Sequence, residues 1–236
     1  MAITFESVIQ QILNELGAIK GATAADADTN FTASPSTTTV IGPDFIPAMV
    51  QPALAGAISK TVKAIASTPH HPERLRFADV TGSLANRAAI PQTGSGGARI
   101  IGIPGFVRDA SSGEPLIPVD LDRVRSFVRF AATIYSGVDV YQYCINGDRI
   151  EHTRTNVVIG VCVYTRTTTF TGNIALDDWH EDGLVAETVR RLATKESMFM
   201  PLHDAAKQRS DDHMATIRSY GAPELYGKAQ AAPSST

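Results

Sequence analysis

The chain has 236 residues, a length that suits one large domain or a medium domain with extensions. Its hydrophobic fraction of 43% is sufficient to build a core, and this excludes a wholly disordered chain. The 21 basic residues are outnumbered by 24 acidic residues, so the net charge of −3 implies no strong bulk attraction to nucleic acid or to an anionic membrane.

The two cysteines, Cys144 and Cys162, are too few for a disulfide scaffold, a four-cysteine zinc site or an iron–sulfur protein. They fall on strands predicted to be neighbours, and we expect two buried thiols rather than a disulfide. No apolar run reaches the roughly 20 residues of a membrane span, and the N-terminus lacks the basic and apolar regions of a secretory signal. We therefore expect a protein made in a reducing compartment, with no membrane partner.

Apolar residues recur at steps of three and four along 4–19, and this spacing predicts an amphipathic helix. Thr4 is its expected N-cap, and Gly17 is an expected stop signal. The same spacing predicts further helices within 44–67, at 120–130, at 184–199 and at 202–220. Pro201 separates the last two, because proline cannot continue a helix.

The strongest β signal lies at 138–166. Asn146-Gly147 is the preferred pair for a type I′ hairpin turn, because both central positions need a positive φ. We therefore predict a three-stranded antiparallel meander whose last strand covers 157–164. Shorter strands are predicted at 37–41, 75–77 and 98–103. The predicted class is α+β: a helical bundle with an antiparallel β insertion at about 75–170 and an extended C-terminal tail.

No residue pattern predicts a catalytic centre, a metal site or a cofactor. His70-His71 suggests a metal site, but adjacent strand residues point to opposite faces and no second ligand pair accompanies them. Ser95 lies among glycines, yet the G-x-S-x-G sequence of a nucleophile elbow is missing. An acidic cluster precedes a predicted helix and is expected to cap it rather than bind a cation. This cluster comprises Asp177, Asp178, His180, Glu181 and Asp182.

Six arginines concentrate positive charge in the middle of the chain. They could line a surface that nucleic acid passes, remain solvated or bridge subunits, and these alternatives stay open. The six are Arg123, Arg125, Arg129, Arg149, Arg154 and Arg166.

The order of the predicted elements carries a family resemblance. The amphipathic N-terminal helix ends in residues 12–21, ILNELGAIKG, and a second helix follows. A small β insertion with the Asn146-Gly147 hairpin, a C-terminal helical pair and a polar tail complete the chain. This layout resembles the head-to-tail adaptors of short-tailed bacteriophages, also called connectors or gatekeepers, of the tail tubular protein A type.

The resemblance implies a structural virion protein of the neck, made in the host cytoplasm, that is not an enzyme and has no cofactor. About twelve copies would form a ring between the portal protein and the tail or nozzle protein, with DNA passing through its channel. Residues 1–221 would form the adaptor domain, and 222–236 would form a tail that docks on the portal. The expected docking residues are Pro223, Leu225, Tyr226 and Lys228.

Two other functions stay open. One is another head- or tail-completion protein of a phage. The other is a small hydrolase that uses His70 or His71 with Ser95 and an acid from 177–182.

Overall fold

The computed structural model describes residues 2–19, 31–33, 40–41, 45–68, 71–102, 106–130 and 140–220. Helices combine with antiparallel and mixed sheets, which is the α+β class that the sequence predicts. The chain divides into two units: the first joins Met1–Glu73 to Arg166–Thr236, and the second is Arg74–Thr165. The second unit occupies the stretch for which the sequence predicts a β-rich insertion.

The helices of the described residues, in chain order, are α1 (Phe5–Glu15), α2 (Gln51–Ser67), α3 (Leu121–Phe130), α4 (Glu181–Lys195) and α5 (His203–Ser219). The strands are β1 (Ala2–Thr4), β2 (Ala18–Ile19), β3 (Phe31–Ala33), β4 (Val40–Ile41), β5 (Ala78–Val80), β6 (Leu84–Ala85), β7 (Arg99–Gly102), β8 (Val107–Asp109), β9 (Ile117–Pro118), β10 (Gln142–Asn146), β11 (Arg149–His152), β12 (Asn156–Tyr164) and β13 (Asn173–Asp177). None of the described helices is both long enough and apolar enough to cross a membrane.

Helix α1 begins where the sequence predicts. The Thr4 hydroxyl accepts a hydrogen bond from the Ser7 amide at 3.0 Å, which makes Thr4 the N-cap. The chain turns at Gly17, whose φ of 65° is the left-handed conformation that glycine adopts after a helix. Val8 and Ile12 are fully buried on the face of α1 that meets α4. The predicted amphipathic helix is therefore confirmed, although it ends at Glu15 and not at residue 19.

Helix α2 follows a π-helical turn at Ile46–Val50 and has Pro52 near its start. The Gln51 amide donates to the Ile46 carbonyl five residues back, and Pro52, which has no amide hydrogen, directly follows this wider turn. Thr68 ends the helix: its amide donates to the Ile65 carbonyl at 3.1 Å, and its hydroxyl donates to the Ala64 carbonyl at 2.8 Å. Both bonds satisfy carbonyls that the helix would otherwise leave open.

Helix α4 is the centre of the first unit, because it contacts α1, α2 and α5. Its Leu184 and Leu192 side chains are fully buried, and each contributes about 1.5–3 kcal/mol of hydrophobic stabilisation. The predicted break at Pro201 is confirmed, since a 3₁₀ segment at Ser197–Leu202 separates α4 from α5. Near the start of α1, β1 pairs antiparallel with β13.

Strand β12 organises the second unit. It pairs antiparallel with β5, β6, β7 and β8, and β11 is not among its partners in the described sheets. The predicted three-stranded meander is therefore wrong. Val157, Ile159 and Val161 of β12 are fully buried, as is typical of a strand in the interior of a sheet, and β12 is the strand with which the other four pair. The bend at 153–155 directs β12 to those partners after β11.

The predicted hairpin is present as β10 and β11, but its turn differs by one residue. Asn146 pairs with Arg149, so the two loop residues are Gly147 and Asp148. Of these two, Gly147 alone has a positive φ, of 63°. A positive φ at the first loop position only is the type II′ pattern, which requires glycine there. The type I′ turn predicted on Asn146-Gly147 is therefore wrong, although Gly147 is essential to the turn that forms.

Two shorter predictions also change. Residues 75–77, predicted as a strand, belong to a 3₁₀ segment at Pro72–Phe77, because the leading proline fixes a helical φ. Cys144 and Cys162 lie on β10 and β12, which belong to different sheets, and both are free thiols. The long strand predicted at 157–164 and the strand within 98–103 are confirmed as β12 and β7.

Some predictions lie outside the described residues. They concern His70, most of the strand at 37–41, and the tail 222–236 with Pro223, Leu225, Tyr226 and Lys228.

Replacing Gly147 by valine tests the turn. Valine is strained at a φ of 63°, so we expect the free energy of unfolding to fall by about 1–2 kcal/mol. A Cβ at this position meets no atom within 4 Å, so the backbone conformation alone causes the loss. Gly82→Val is the matched control, because a Cβ there is also in open space and its φ lies outside the left-handed region. Urea unfolding compares the two variants, and equal losses would contradict the turn assignment.

Candidate functional site

A group of buried histidines surrounds one carboxylate in the first unit. Glu73 lies just beyond the end of α2, His180 directly precedes α4, and His213 lies in α5. His71 stacks on Trp179, with ring centroids 6.1 Å apart. We name these five residues the histidine cluster. Its titratable side chains are at most 9% exposed.

Glu73 accepts the hydrogen bonds that hold the cluster together. One carboxylate oxygen is 2.8 Å from His180 Nε2 and accepts from Trp179 Nε1 at 3.2 Å. The other oxygen accepts from the Asp177 amide at 3.2 Å. His180 Nδ1 in turn lies 3.2 Å from His213 Nε2. Because an ionised carboxylate only accepts, the hydrogen shared between His180 Nε2 and Glu73 is carried by the histidine, and the Nδ1 atom on the other side of the same ring is hydrogen-bonded to His213.

Burial keeps the outer histidines of the cluster neutral. Burial, and secondarily the neighbouring His180, lowers the pKa of His213 from its ordinary 6.5 to about 4. Burial also lowers the pKa of His71, whose Nδ1 accepts from the Glu73 amide at 3.3 Å. A neutral His213 suits its contact with α4, where a Cβ on Gly183 would stand 2.2 Å from the ring. Only glycine permits this approach.

A carboxylate followed by two imidazoles can orient a proton, as catalytic triads do. Catalysis also requires that a reacting group reach the last member of such a chain. The four titratable members here are at least nine-tenths buried, so a substrate would have to displace packed side chains. The cluster therefore has a structural role. It connects the residues just before the second unit to the residues that lead into α4.

A second buried carboxylate lies deeper in the bundle. Glu187 of α4 is fully buried and accepts from Lys60 of α2 at 2.8 Å and from Ser210 of α5 at 2.7 Å. Arg190 makes two bonds to it, at 2.8 and 2.9 Å, and Arg191 donates at 2.8 Å. We name these five residues the carboxylate cluster. Three cations thus surround one anion.

The arrangement keeps Glu187 ionised. Burial is the largest single influence and opposes ionisation, yet the bonds from Arg190, Lys60 and Ser210 together outweigh it and hold the pKa of Glu187 far below its usual range. Gly56 makes room for one of the cations, because a Cβ there would be 2.5 Å from Arg191 Nη1.

Two of the central arginines are held in ion pairs of the second unit. Arg125 makes two bonds to Glu151, at 2.6 and 2.9 Å, and these bonds lower the pKa of that carboxyl. Arg154 donates to Asp109 at 2.6 Å, and this bond, followed by the Ser112 amide, lowers the pKa of Asp109 to about 2. For these two arginines, internal pairing is therefore observed.

The hydrolase alternative draws its residues from both units. Ser95 belongs to the second unit, in a turn where Gly96 and Gly97 have positive φ. His71 is packed inside the histidine cluster. Glu181 and Asp182 occupy the first turn of α4, where carboxylates favour the helix dipole, but the N-cap His180 makes no capping bond. Within the described ranges, no three His, Cys, Asp or Glu side chains are grouped to hold a metal ion.

Sequence analysis missed Glu73, His213 and Glu187. Their partners are remote in the chain: Glu73 and Trp179 are 106 positions apart, and Lys60 and Glu187 are 127 apart. No local pattern reveals such pairs. The one local signal is the spacing of Arg190 and Arg191 at three and four residues after Glu187.

The lowered pKa of His213 makes stability depend on pH. The folded state holds His213 neutral, so its contribution is complete above pH 6.5 and is lost as the pH falls toward 4. Between pH 7 and pH 5 we expect the free energy of unfolding to fall by about 2 kcal/mol from this group. His213→Gln should remove most of that fall, measured by urea titration. His203→Gln, on the same helix, should keep it, and equal slopes in both variants would contradict the assignment.

Removing the charge of Glu187 should destabilise the bundle. Glu187→Gln leaves three partly exposed cations around a neutral group, and we expect a loss of about 1–3 kcal/mol in the free energy of unfolding. Asp204→Asn is the matched control, because it removes one carboxylate from a side chain that is 99% exposed, and it should change stability by less than about 0.5 kcal/mol. Similar losses in the two variants, measured by thermal and urea unfolding, would show that the carboxylate cluster is dispensable.

No protein-family model matches this chain, and no curated protein sequence matches it at a significant level. Its function is therefore inferred from its residues and its fold.

Proposed function

We propose that this chain is a structural virion protein, a head-to-tail adaptor that forms a ring and joins the portal of a phage to its tail. The observation that carries the proposal is the layout of the chain. Both ends build one helical unit, and the β-rich unit Arg74–Thr165 is inserted between them. This is the layout that the family resemblance implies.

A ring requires two different adhesive faces on each copy, because head-to-tail contacts join unlike surfaces. Large apolar side chains are exposed on both units: Leu75 (81%) and Ile117 (64%) on the second, and Met200 (60%) on the first. These side chains are candidates for the ring contacts. The contacts of an obligate assembly typically bury upwards of roughly 2,000 Å² and are more apolar than transient ones.

The buried polar clusters support an assembly role rather than catalysis. The carboxylate of each cluster is buried by packing, and each cluster connects segments that are distant in the chain. The hydrolase alternative gains no support from them, because His71 is 2% exposed and stacked on Trp179. Another head- or tail-completion protein remains the second candidate, and the partner that binds the ring distinguishes the two.

In the proposed assembly, one side of the ring meets the portal and the other meets the tail or nozzle protein, in the virion neck. The tail 222–236 docks on the portal, with Leu225 and Tyr226 as its anchors. Tyrosine suits this role because it brings a large rigid surface at a small cost in rotamer entropy.

Mass photometry of the full chain, alone and with the portal protein of the same phage, tests the proposal. The subunit mass of 25.2 kDa predicts an assembly of about 300 kDa for twelve copies. Deleting 222–236 should leave the ring and the melting temperature unchanged but abolish association with the portal. A second variant keeps the full length of the chain but replaces Leu225 and Tyr226 by serine, and it should also lose its association with the portal.

Two results would overturn the proposal. A chain that stays monomeric both alone and with the portal is not a ring adaptor. A ring that binds only a tail protein, and not the portal, is a tail-completion protein instead.

A further inference from the structure

The second half of α2 and the last turns of α5 border a groove of about 430 Å³ within the first unit. Lys60 Nζ lies 3.3 Å from Ser210 Oγ at one end, and the groove continues from there to Thr68 and Arg218. The two helices therefore run in the same direction along it. The residues that line this basic groove are Lys60, Lys63, Ala64, Ser67, Thr68, Met214 and Arg218.

The described residues that line the groove carry an excess of positive charge. Three of its lining residues are cationic, and no carboxylate is among the described residues that line it. The exposed side chains of Lys63 and Arg218 make no hydrogen bond or ion pair with any residue that the structure describes. An anion that enters the groove therefore meets two cations without having to displace a partner among the described residues.

Lys60 adds a cation whose position is fixed. Its ammonium donates to Glu187 at 2.8 Å and to Ser210 at 3.3 Å, which leaves one of its three donors for a ligand. Glu187 does not cancel this charge, because Arg190 and Arg191 bind the same carboxylate. The carboxylate cluster thus holds the Lys60 ammonium in a fixed position at the groove. Little side-chain entropy of Lys60 remains to be lost when an anion binds.

The end of α2 lies in the same groove, and a helix C-terminus carries partial negative charge. Thr68 reduces this effect, because its hydroxyl and amide occupy the Ala64 and Ile65 carbonyls. The Ser67 hydroxyl is exposed on the last turn of α2 and offers a further donor.

We propose that the basic groove binds a small ligand that carries two or three adjacent phosphates. Three cations converge on one cavity whose volume lies in the usual range for small ligands, roughly 300–1,000 Å³. Arginine can bind two phosphate oxygens at once, and lysine binds them as a point charge. The lining has no aromatic ring among its described residues, so a base would find no stacking partner and recognition falls on the phosphates.

A nucleic-acid backbone is the less suitable occupant. Proteins that bind duplex DNA neutralise a row of about 6–10 phosphates spread along the helix. Here the three cations meet in a single concave site. This inference goes beyond ring assembly and does not depend on it, since a chain that forms no ring could still bind the ligand.

Isothermal titration calorimetry of the full chain with sodium tripolyphosphate at low salt tests the proposal. We expect saturable binding with one ligand per chain. Lys63→Ala and Arg218→Ala should each weaken binding about tenfold, since each removes one charge-assisted bond. Both side chains are exposed, so an unchanged melting temperature should show that the variants fold. Tripolyphosphate should also raise the melting temperature of the wild-type chain. It should not raise that of the double variant, in which Lys63 and Arg218 are both replaced by alanine.

The matched control is Lys195→Ala with Lys207→Ala. These lysines are exposed on α4 and α5 of the same unit and lie outside the groove, so the change in net charge is the same as in the double variant. The control should bind tripolyphosphate with nearly the affinity of the wild type. An equal loss in the control would mean diffuse attraction and would overturn the site.

Three other outcomes also overturn the proposal. Binding that is absent at millimolar tripolyphosphate excludes the site. Orthophosphate that binds as tightly as tripolyphosphate excludes recognition of adjacent phosphates. A short DNA duplex that displaces tripolyphosphate and depends on Lys63 and Arg218 would assign the groove to nucleic acid instead.

Discussion

The ionised Glu187 carboxylate in the centre of the helical unit imposes the strongest constraint on this structure. A buried charge is costly unless it is fully paired, and Glu187 is paired by residues of three helices. Sliding α2 or α5 along α4 would withdraw Lys60 or Ser210 and leave the charge exposed to an apolar interior. Apolar packing alone tolerates such shifts more easily. The carboxylate cluster therefore fixes the register of helices that hydrophobic burial brings together.

The histidine cluster connects remote segments of the chain in a similar way, around the Glu73 carboxylate. Glu73 is the last residue of the first unit before the chain enters the second, and it binds the segment through which the chain enters α4. The residue before the insertion is thereby joined, within the helical unit itself, to the segment that leads into α4. Because His180 and His213 are linked in series, displacing Glu73 would disturb the contact between α4 and α5 as well. Both clusters thus connect the helices of the bundle, and the carboxylate at the centre of each is buried.

Local physical rules predicted much of the fold. The spacing of apolar residues located α1, α2, α4 and α5, and the cap at Thr4 and the break at Pro201 follow from single-residue chemistry. Partner choice among strands could not be predicted in the same way, because β12 selects neighbours that come earlier in the chain than the adjacent hairpin. The turn type of the β10–β11 hairpin depends on which residue pairs with Arg149. A shift of one residue in this pairing changes the two loop residues and therefore the turn. The clusters around Glu73 and Glu187 needed contacts across the whole insertion, which no short pattern encodes.

The insertion also determines the order in which the chain can fold. The second unit is one continuous segment, so its strands can pair as soon as that segment has left the ribosome. The first unit has to wait, because α4, on which α1 and α2 pack, is synthesised after the entire second unit. During that interval the apolar faces of α1 and α2 have no native partner. Closure over so long a loop is slow, and we expect the helical unit to form last. We therefore expect the nascent chain to carry a complete β unit while its helical bundle is still incomplete.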